Sequence, residues 1–443
     1  MCFINGAFYW GIWLRRIAVN CTAVGSMKAN GQWGQMGCFP GQSAMRPPPP
    51  EAGRFDTSRC EESTMKKLHA GAWLTAVALS MVSAHAATEE QVVKIGLTGP
   101  LTGPQAAIGK DDENGVRMAI ERLNAQGLVI GGRKTRFELV SQDDAADPRI
   151  GMTVAQRLVD DNVKVIFGPF NSGVAIPISN LVNVAGIVMA TVASNPSITQ
   201  HGYPFVFRIS ASDTQLGSRM GEFAAKKLKI KRIAVIDDRT AYGQGLADEF
   251  IDAAKANGIE IVDREYTTDK ATDFVSILTH IKGAHAEGIF YGGYYAQAGA
   301  LRKQMKRLAM NGYLLGGDAM CNAELAKVGG DTVDAGVYCP QGGPVLDQTQ
   351  EGRQFKADYK QRFHTDPLTY SAALYDGMNI VARAMQKANA IEPAQYRAAL
   401  AGIDFQGVSG HYRFDQNRDL KDSPITIYTY RNGEPTPLAP SQP

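Results

Sequence analysis

A chain of 443 residues, 44% hydrophobic, 20% charged and 8% aromatic, has an ordinary globular balance and length enough for two or three domains. That excludes a wholly disordered chain, a collagen-like repeat and a disulfide-held miniprotein. The formal charge of +2 leaves no footprint for nucleic acid, which calls for a concentrated basic stripe. The charge is also unevenly placed: residues 1–86 hold eight Lys and Arg against four Asp and Glu, leaving 38 against 40 in the remaining 357 residues.

From Met65 the chain reads MKKLHAGAWLTAVALSMVSAHA. Lys66 and Lys67 form a positive start, residues 70–82 an uncharged apolar stretch, and Ala84-His85-Ala86 a small-residue cleavage site. This is the grammar of a secretory signal peptide over 65–86, with the exported chain beginning at Ala87. The stretch is too short for a stop-transfer helix, which needs about 20 apolar residues. Because such a signal works from the N-terminus, residues 1–64 are expected to be an upstream extension, disordered if made at all; the alternative is a membrane anchor at residues 3–14. Four of the six cysteines lie in that extension. The two that remain, Cys321 and Cys339, suggest a disulfide in an exported chain, against the alternative of two buried free thiols.

After Ala86 short apolar runs alternate with amphipathic segments. Residues 92–97, 137–140, 163–167 and 187–190 read as strands, and 115–123, the segment opened by Pro148, and 173–184 as helices. The rhythm restarts near residue 208, with helices at 214–228, 243–256, 274–281 and 298–308 and strands at 232–236, 259–262, 288–291 and 313–315. Three helical stretches follow, at 354–363, 372–388 and 393–401, then β-like segments at 411–414 and 425–430. The expected fold is α/β, two doubly wound open-sheet lobes. Open parallel sheets bind ligands at the carboxyl ends of their strands, so two facing lobes make a cleft.

Polar groups stand at those strand ends. Asn171, Ser172 and Gly173 follow one strand; Ser172 is an N-cap candidate, and the free amides behind it form an anion site or simply serve the helix. Ser194 follows another strand. In the second unit Tyr242, Tyr294 and Asp318 stand after successive strands and suit an ammonium group through charge and cation–π attraction. Serines and bare amides opposite them suit a carboxylate, and the pair describes an α-amino acid. Catalytic signatures are lacking: there is no Gly-x-Ser-x-Gly elbow, no His-Glu-x-x-His and no Cys/His zinc spacing. The run Asp143-Asp144-Ala145-Ala146-Asp147 lacks the glycine and terminal glutamate of a calcium loop, and there is no cofactor box. No enzyme activity, cofactor or metal is expected.

The segments VVKIGLTGPLTGPQAAIG, QDDAADP, FGPFNSGVAIP, ASNPSIT, AYGQGLADEF, FYGGYY and LLGGDAM, in this order, resemble the periplasmic leucine/isoleucine/valine-binding proteins of ABC importers. The resemblance spans residues 92–432 and implies the type I periplasmic-binding fold, with three chain crossings between lobes. Lobe I would comprise residues 87–209 and 343–422, lobe II residues 210–342 and 423–443, with hinges near Ser210, Gln341 and Lys421. Carried over by motif, Ser172, Val192 (through its backbone) and Ser194 would hold the α-carboxylate. Asp318, Tyr242 and Tyr294 would hold the ammonium, and Ile108, Phe170 and Tyr370 would face the side chain. The implied partners are an amino-acid ligand and the membrane permease and ATPase subunits of an importer, with a monomer as the expected state and the periplasm as its location. The chain departs from the family's pattern in carrying Ile108 for a common tyrosine, Asp318 for a glutamate and Phe170 for a leucine. It also lacks a disulfide joining the positions of Ala146 and Asn171. Phe170 points to a preference for smaller or linear amino acids. The alternative is a ligand-sensing receptor or regulator on the same bilobal fold.

Overall fold

The computed structural model describes residues 90–421 and 423–438. The expected upstream extension and signal peptide lie outside them. Among the described residues no helix is long and apolar enough to cross a membrane.

The first sheet is built from β1 (Gln91–Gly99), β2 (Val129–Ile130), β3 (Arg133–Asp143), β4 (Val165–Phe167), β5 (Val188–Thr191) and β6 (Val206–Arg208), in spatial order β2-β3-β1-β4-β5-β6. Apart from the β2–β3 hairpin its pairs are parallel. The connecting helices are α1 (Ala106–Gln126), α2 (Pro148–Asp160), α3 (Ser172–Ala185) and α4 (Ser197–Gln200). Parallel strands covered on both faces read as unbroken apolar runs, and Val165, Ile166 and Phe167 are all fully buried.

The chain then passes through residues 209–212 into a second sheet. Its strands are β7 (Arg232–Asp237), β8 (Glu260–Tyr266), β9 (Gly288–Gly292), β10 (Tyr313–Gly316) and β11 (Val337–Gly342), with helices α5 (Asp213–Lys226), α6 (Ala241–Ala256), α7 (Val275–Gly283), α8 (Tyr295–Arg307) and α9 (Ala323–Gly329) between them. After β11 the chain returns to the first unit as α10 (Gln350–Phe363), α11 (Ser371–Ala388) and α12 (Pro393–Ala401), followed by the hairpin β12 (Phe405–Gln406) and β13 (His411–Tyr412). It crosses once more, and β14 (Ile425–Arg431) and β15 (Glu434–Pro437) add antiparallel to β11, giving the order β15-β14-β11-β10-β9-β7-β8.

The apolar spacing predicts a helix from residue 115, whereas α1 begins nine residues earlier, at Ala106. Residues 111–114 are Asp-Asp-Glu-Asn, yet all four are buried. Asp111 accepts hydrogen bonds from Tyr359 Oη at 2.9 Å, Leu368 N at 2.9 Å and Ser371 N at 3.0 Å, so it ties α1 to the returning helices. One turn further on, a Cβ on Gly115 would lie 2.2 Å from the Ser371 carbonyl oxygen, so α1 and α11 meet backbone to backbone. The calcium-like aspartate run is used by the backbone instead. Asp144 accepts from Thr98 Oγ1 and Ala146 N, and Asp147 caps α2 by accepting from Arg149 N at 2.7 Å and Ile150 N at 3.1 Å.

Cys321 and Cys339 form a disulfide across 18 residues, with Cα atoms 5.4 Å apart. Closing a loop of that size restricts the unfolded chain and contributes about 3 kcal/mol. Reduction should lower the unfolding free energy by about that amount, measured by denaturant titration with and without reductant. Alkylation of both thiols in unreduced protein, read by mass spectrometry, would count against the bond.

Candidate functional site

The strand-end loops of the two sheets face each other and touch. Asn195 Nδ2 donates to the Ala241 carbonyl at 2.8 Å, and Tyr295 Oη donates to the Pro104 carbonyl at 2.5 Å. Phe170 lies with its ring centroid 5.7 Å from Tyr294 and 5.6 Å from Tyr370, and Tyr242 stacks obliquely on Tyr294 at 5.1 Å. Each of the nine residues expected to bind ligand is buried.

On the first unit, β4 ends at Phe167 and the chain turns through Gly168, whose φ of +83° lies in the left-handed region. A Cβ there would sit 2.1 Å from the Thr98 carbonyl oxygen, so glycine is required twice over. Asn171, rather than Ser172, is the N-cap of α3, and Ser172 is its first helical residue. The Asn171 side chain instead donates to Gln105 Oε1 at 2.7 Å, and its own Oδ1 is buried without a partner. The first amides of a helix have no intrahelical acceptor, so those at the α3 entrance are of the kind that can receive an anion, though Val174 N already donates to the Asn171 carbonyl at 3.0 Å. Ser172 Oγ accepts from Asn195 N at 3.3 Å, joining this loop to the one that carries Val192 and Ser194. The Val192 carbonyl accepts from Ser210 Oγ at 2.9 Å, and the Ser194 carbonyl accepts from Asp213 N at 2.9 Å.

On the second unit Asp318 follows β10. Its Oδ1 accepts from Tyr242 Oη at 2.9 Å and its Oδ2 from Tyr370 Oη at 2.7 Å. Tyr370, expected from the resemblance to face a ligand side chain, bridges from the returning helical segment to the acid. Burial raises the Asp318 pKa, and the two tyrosine hydroxyls pull it back by favouring the charged form. Tyr294 is the N-cap residue of α8. Ile108 lies in the first turns of α1 with no exposed surface. A partly open cavity of about 50 Å³ lies at Asp318 and Tyr370 and extends toward the crossing segments at Ser210, Gln341 and Pro424. Ligand clefts commonly measure roughly 300–1,000 Å³, several times this volume.

One residue escaped the sequence reading. Asp213 opens α5 immediately after the first crossing, is 0% exposed, and has no hydrogen-bond partner for either carboxylate oxygen. Burial first and the Asp318 charge second push its pKa up to about 8. The Ser194 hydroxyl lies near it without reaching hydrogen-bond geometry, and Arg208 offsets a part. In the sequence it reads as an ordinary acidic residue in the first turn of a helix, stabilised by the dipole; nothing local marks it as buried.

Metal-ligating groups cluster elsewhere. Asp263, Glu265 and His280, between β8 and α7, bring ligand atoms within 4.8 Å of one another, and His280 Nδ1 lies 2.5 Å from Glu265 Oε1 and 3.1 Å from Asp263 Oδ2. The imidazole pairs with both acids there, far in sequence from the cleft residues.

Comparison with known proteins agrees with this architecture. Residues 92–435 match the family described as periplasmic binding protein. The Leu/Ile/Val-binding protein BraC3 of Rhizobium johnstonii is 30% identical over 77% of this chain and 92% of its own length. The leucine-, isoleucine-, valine-, threonine- and alanine-binding protein of Pseudomonas aeruginosa is 29% identical over 76% of this chain and 90% of its own length. Among solved structures, the leucine-binding protein LivK of Thermotoga maritima superimposes with a TM-score of 0.73 at 26% identity, covering 78% of this chain and 98% of that one. The chain belongs to the periplasmic binding protein family, and its fold is the type I form of these solute-binding proteins.

Proposed function

We propose that the chain is the exported amino-acid-binding subunit of an ABC importer, carrying out no chemistry of its own. The observation that carries this is a polarised cleft: serines and a helix entrance on one unit, and across from them the buried Asp318 with Tyr242, bridged back to the first unit by Tyr370. Ser172, Val192 and Ser194 take the carboxylate; Asp318, Tyr242 and Tyr294 take the ammonium. Two lobes, residues 87–209 with 343–422 and residues 210–342 with 423–443, rotate about hinges near Ser210, Gln341 and Lys421. The closed form is then recognised by the permease. Processing after Ala86 places the protein in the periplasm, where it acts as a monomer. Titration calorimetry of the exported chain against the amino acids tests the reading, and failure to bind any of them would sink it.

The ligand is a small or linear amino acid at least as readily as leucine. Phe170 packs against both Tyr294 and Tyr370, and the resemblance implies that branched-chain binders often carry a leucine at this position. Forcing an extra methylene into a filled pocket commonly costs about 1–3 kcal/mol. The Pseudomonas relative, whose name includes threonine and alanine, supports the smaller range. In competition calorimetry alanine or γ-aminobutyrate should match leucine on the wild type, and Phe170→Leu should improve leucine alone. Leucine binding tenfold tighter than alanine to the wild type would refute the small pocket.

A further inference from the structure

We propose that Asp263, Glu265 and His280 bind a divalent first-row metal ion, with zinc as the best fit, and that the ion ties the edge of the second sheet to the helix that follows it.

The placement follows from the period of a strand. β8 pairs with β7 alone and forms one edge of the second sheet. Side chains two apart on a strand point to the same face, so Asp263 and Glu265 stand together. Arg264, between them, points to the other face and is bound to Asp237 at 3.0 Å and Asp248 at 2.7 Å. It is engaged elsewhere and does not neutralise its two neighbours. α7 follows β8 and brings His280, in its last turn, onto both acids. Among the described residues His280 is the only cation that pairs with either acid.

The hydrogen bonding there does not balance. The Nδ1 atom of an imidazole carries at most one proton. In His280 it lies 2.5 Å from Glu265 Oε1, in hydrogen-bond geometry, and 3.1 Å from Asp263 Oδ2, outside that geometry. The Asp263 oxygen is buried and has no donor. Buried polar atoms are nearly always hydrogen-bonded, and each exception calls for a reason. Two carboxylate oxygens converging on one ring nitrogen are one proton short. They also bring two negative charges against at most one positive. A divalent cation in place of the proton removes both deficits. It engages all three atoms, and with a neutral imidazole the charges sum to zero. The proton on Nδ1 leaves to solvent as the metal takes its place.

The spacing suits such an ion. Around a tetrahedral zinc, two ligand atoms lie about 3.4 Å apart, given bonds of about 2.0–2.2 Å. The three atoms here all lie within 4.8 Å of one another. Small side-chain rotations bring them to the tetrahedral value, and His280, with 68% of its side chain exposed, has room to make them. Water takes the fourth position. The donor set selects the metal: one imidazole with two carboxylates suits zinc or copper. Magnesium and calcium favour six or more oxygen ligands and gain little from a ring nitrogen.

The test titrates zinc chloride into the exported chain by calorimetry at pH 7.5, with no affinity tag and with chelator removed. Wild type should bind one zinc ion per chain with micromolar affinity, undisturbed by millimolar magnesium or calcium. His280→Asn and Asp263→Asn should each weaken binding by about tenfold or more. His285→Asn, which changes a nearby exposed imidazole, should bind zinc like the wild type. Cobalt(II) in place of zinc should give the intense visible absorption of a four-coordinate ion, and His280→Asn should abolish it. Zinc should raise the melting temperature of the wild type and leave that of His280→Asn unmoved. Far-ultraviolet circular dichroism of the metal-free variants, matching the wild type, separates a lost ligand from a lost fold. No zinc binding at micromolar concentrations, or binding that survives His280→Asn and Asp263→Asn combined, overturns the proposal and leaves the three residues as an ion pair.

Discussion

Asp318→Asn should weaken amino-acid binding by more than about 2 kcal/mol, roughly thirty-fold or more. Asp318 is 4% exposed, so an ammonium brought to it sheds its water and relies on the carboxylate to replace that hydration. Asparagine keeps the size and one acceptor oxygen, so the Tyr242 hydroxyl can retain its bond while Tyr370 faces an N–H instead. A tyrosine hydroxyl can also accept, so the tyrosines need not move far. The loss would then fall on charge rather than on shape. Calorimetry at pH 8 reads it directly. Unchanged affinity would show that Asp318 serves only to tie Tyr242 to Tyr370.

Arg208→Met should lower the stability of the protein by about 3–5 kcal/mol. The guanidinium is fully buried at the end of β6, and all three nitrogens are engaged. Nε donates to Asp419 Oδ1 at 2.7 Å, one terminal nitrogen to the Ala193 carbonyl at 2.6 Å, and the other to the Asn195 carbonyl at 3.0 Å and Thr199 Oγ1 at 2.9 Å. Methionine fills much of the volume but strips the Ala193 carbonyl of its donor and Asp419 of its cation, while the Asn195 carbonyl keeps only Ile198 N at 3.2 Å and Asp419 only Thr199 Oγ1 at 3.0 Å. Those carbonyls belong to the loop that carries Ser194, so ligand affinity should fall along with stability. Arg208→Lys should recover only part of the loss, because one ammonium cannot reproduce the planar fork. Denaturant titration measures the effect, and a change under about 1 kcal/mol would mean that the loop holds its shape without Arg208.

The two positions differ in how far they were legible. Asp318 ends the run LLGGD, where an apolar strand breaks at glycines, and an acid at a strand end of an open sheet is a position that a sequence can point to. Arg208 and Asp213 flank the first crossing between sheets. β6 is three residues long and was not picked out, and nothing in VFRISASD distinguishes a buried guanidinium from a surface one.

The alternation of apolar runs and amphipathic segments determined by itself that the protein is α/β with two doubly wound units, because periods of 2 and 3.6 are local properties. The same local signals located Ser172, Ser194, Tyr242, Tyr294 and Asp318 at strand ends. The tertiary structure alone decided which of these groups meet and which are left without partners. It extended α1 over four buried polar residues because Tyr359, Leu368 and Ser371 come back to one of them, Asp111, from more than 240 positions away. It brought Tyr370 onto Asp318 across 52 positions and left Asp213 without a donor beside them. Pairing, burial and the pKa shifts that follow from them depend on groups distant along the chain, and local periodicity holds no record of those distances.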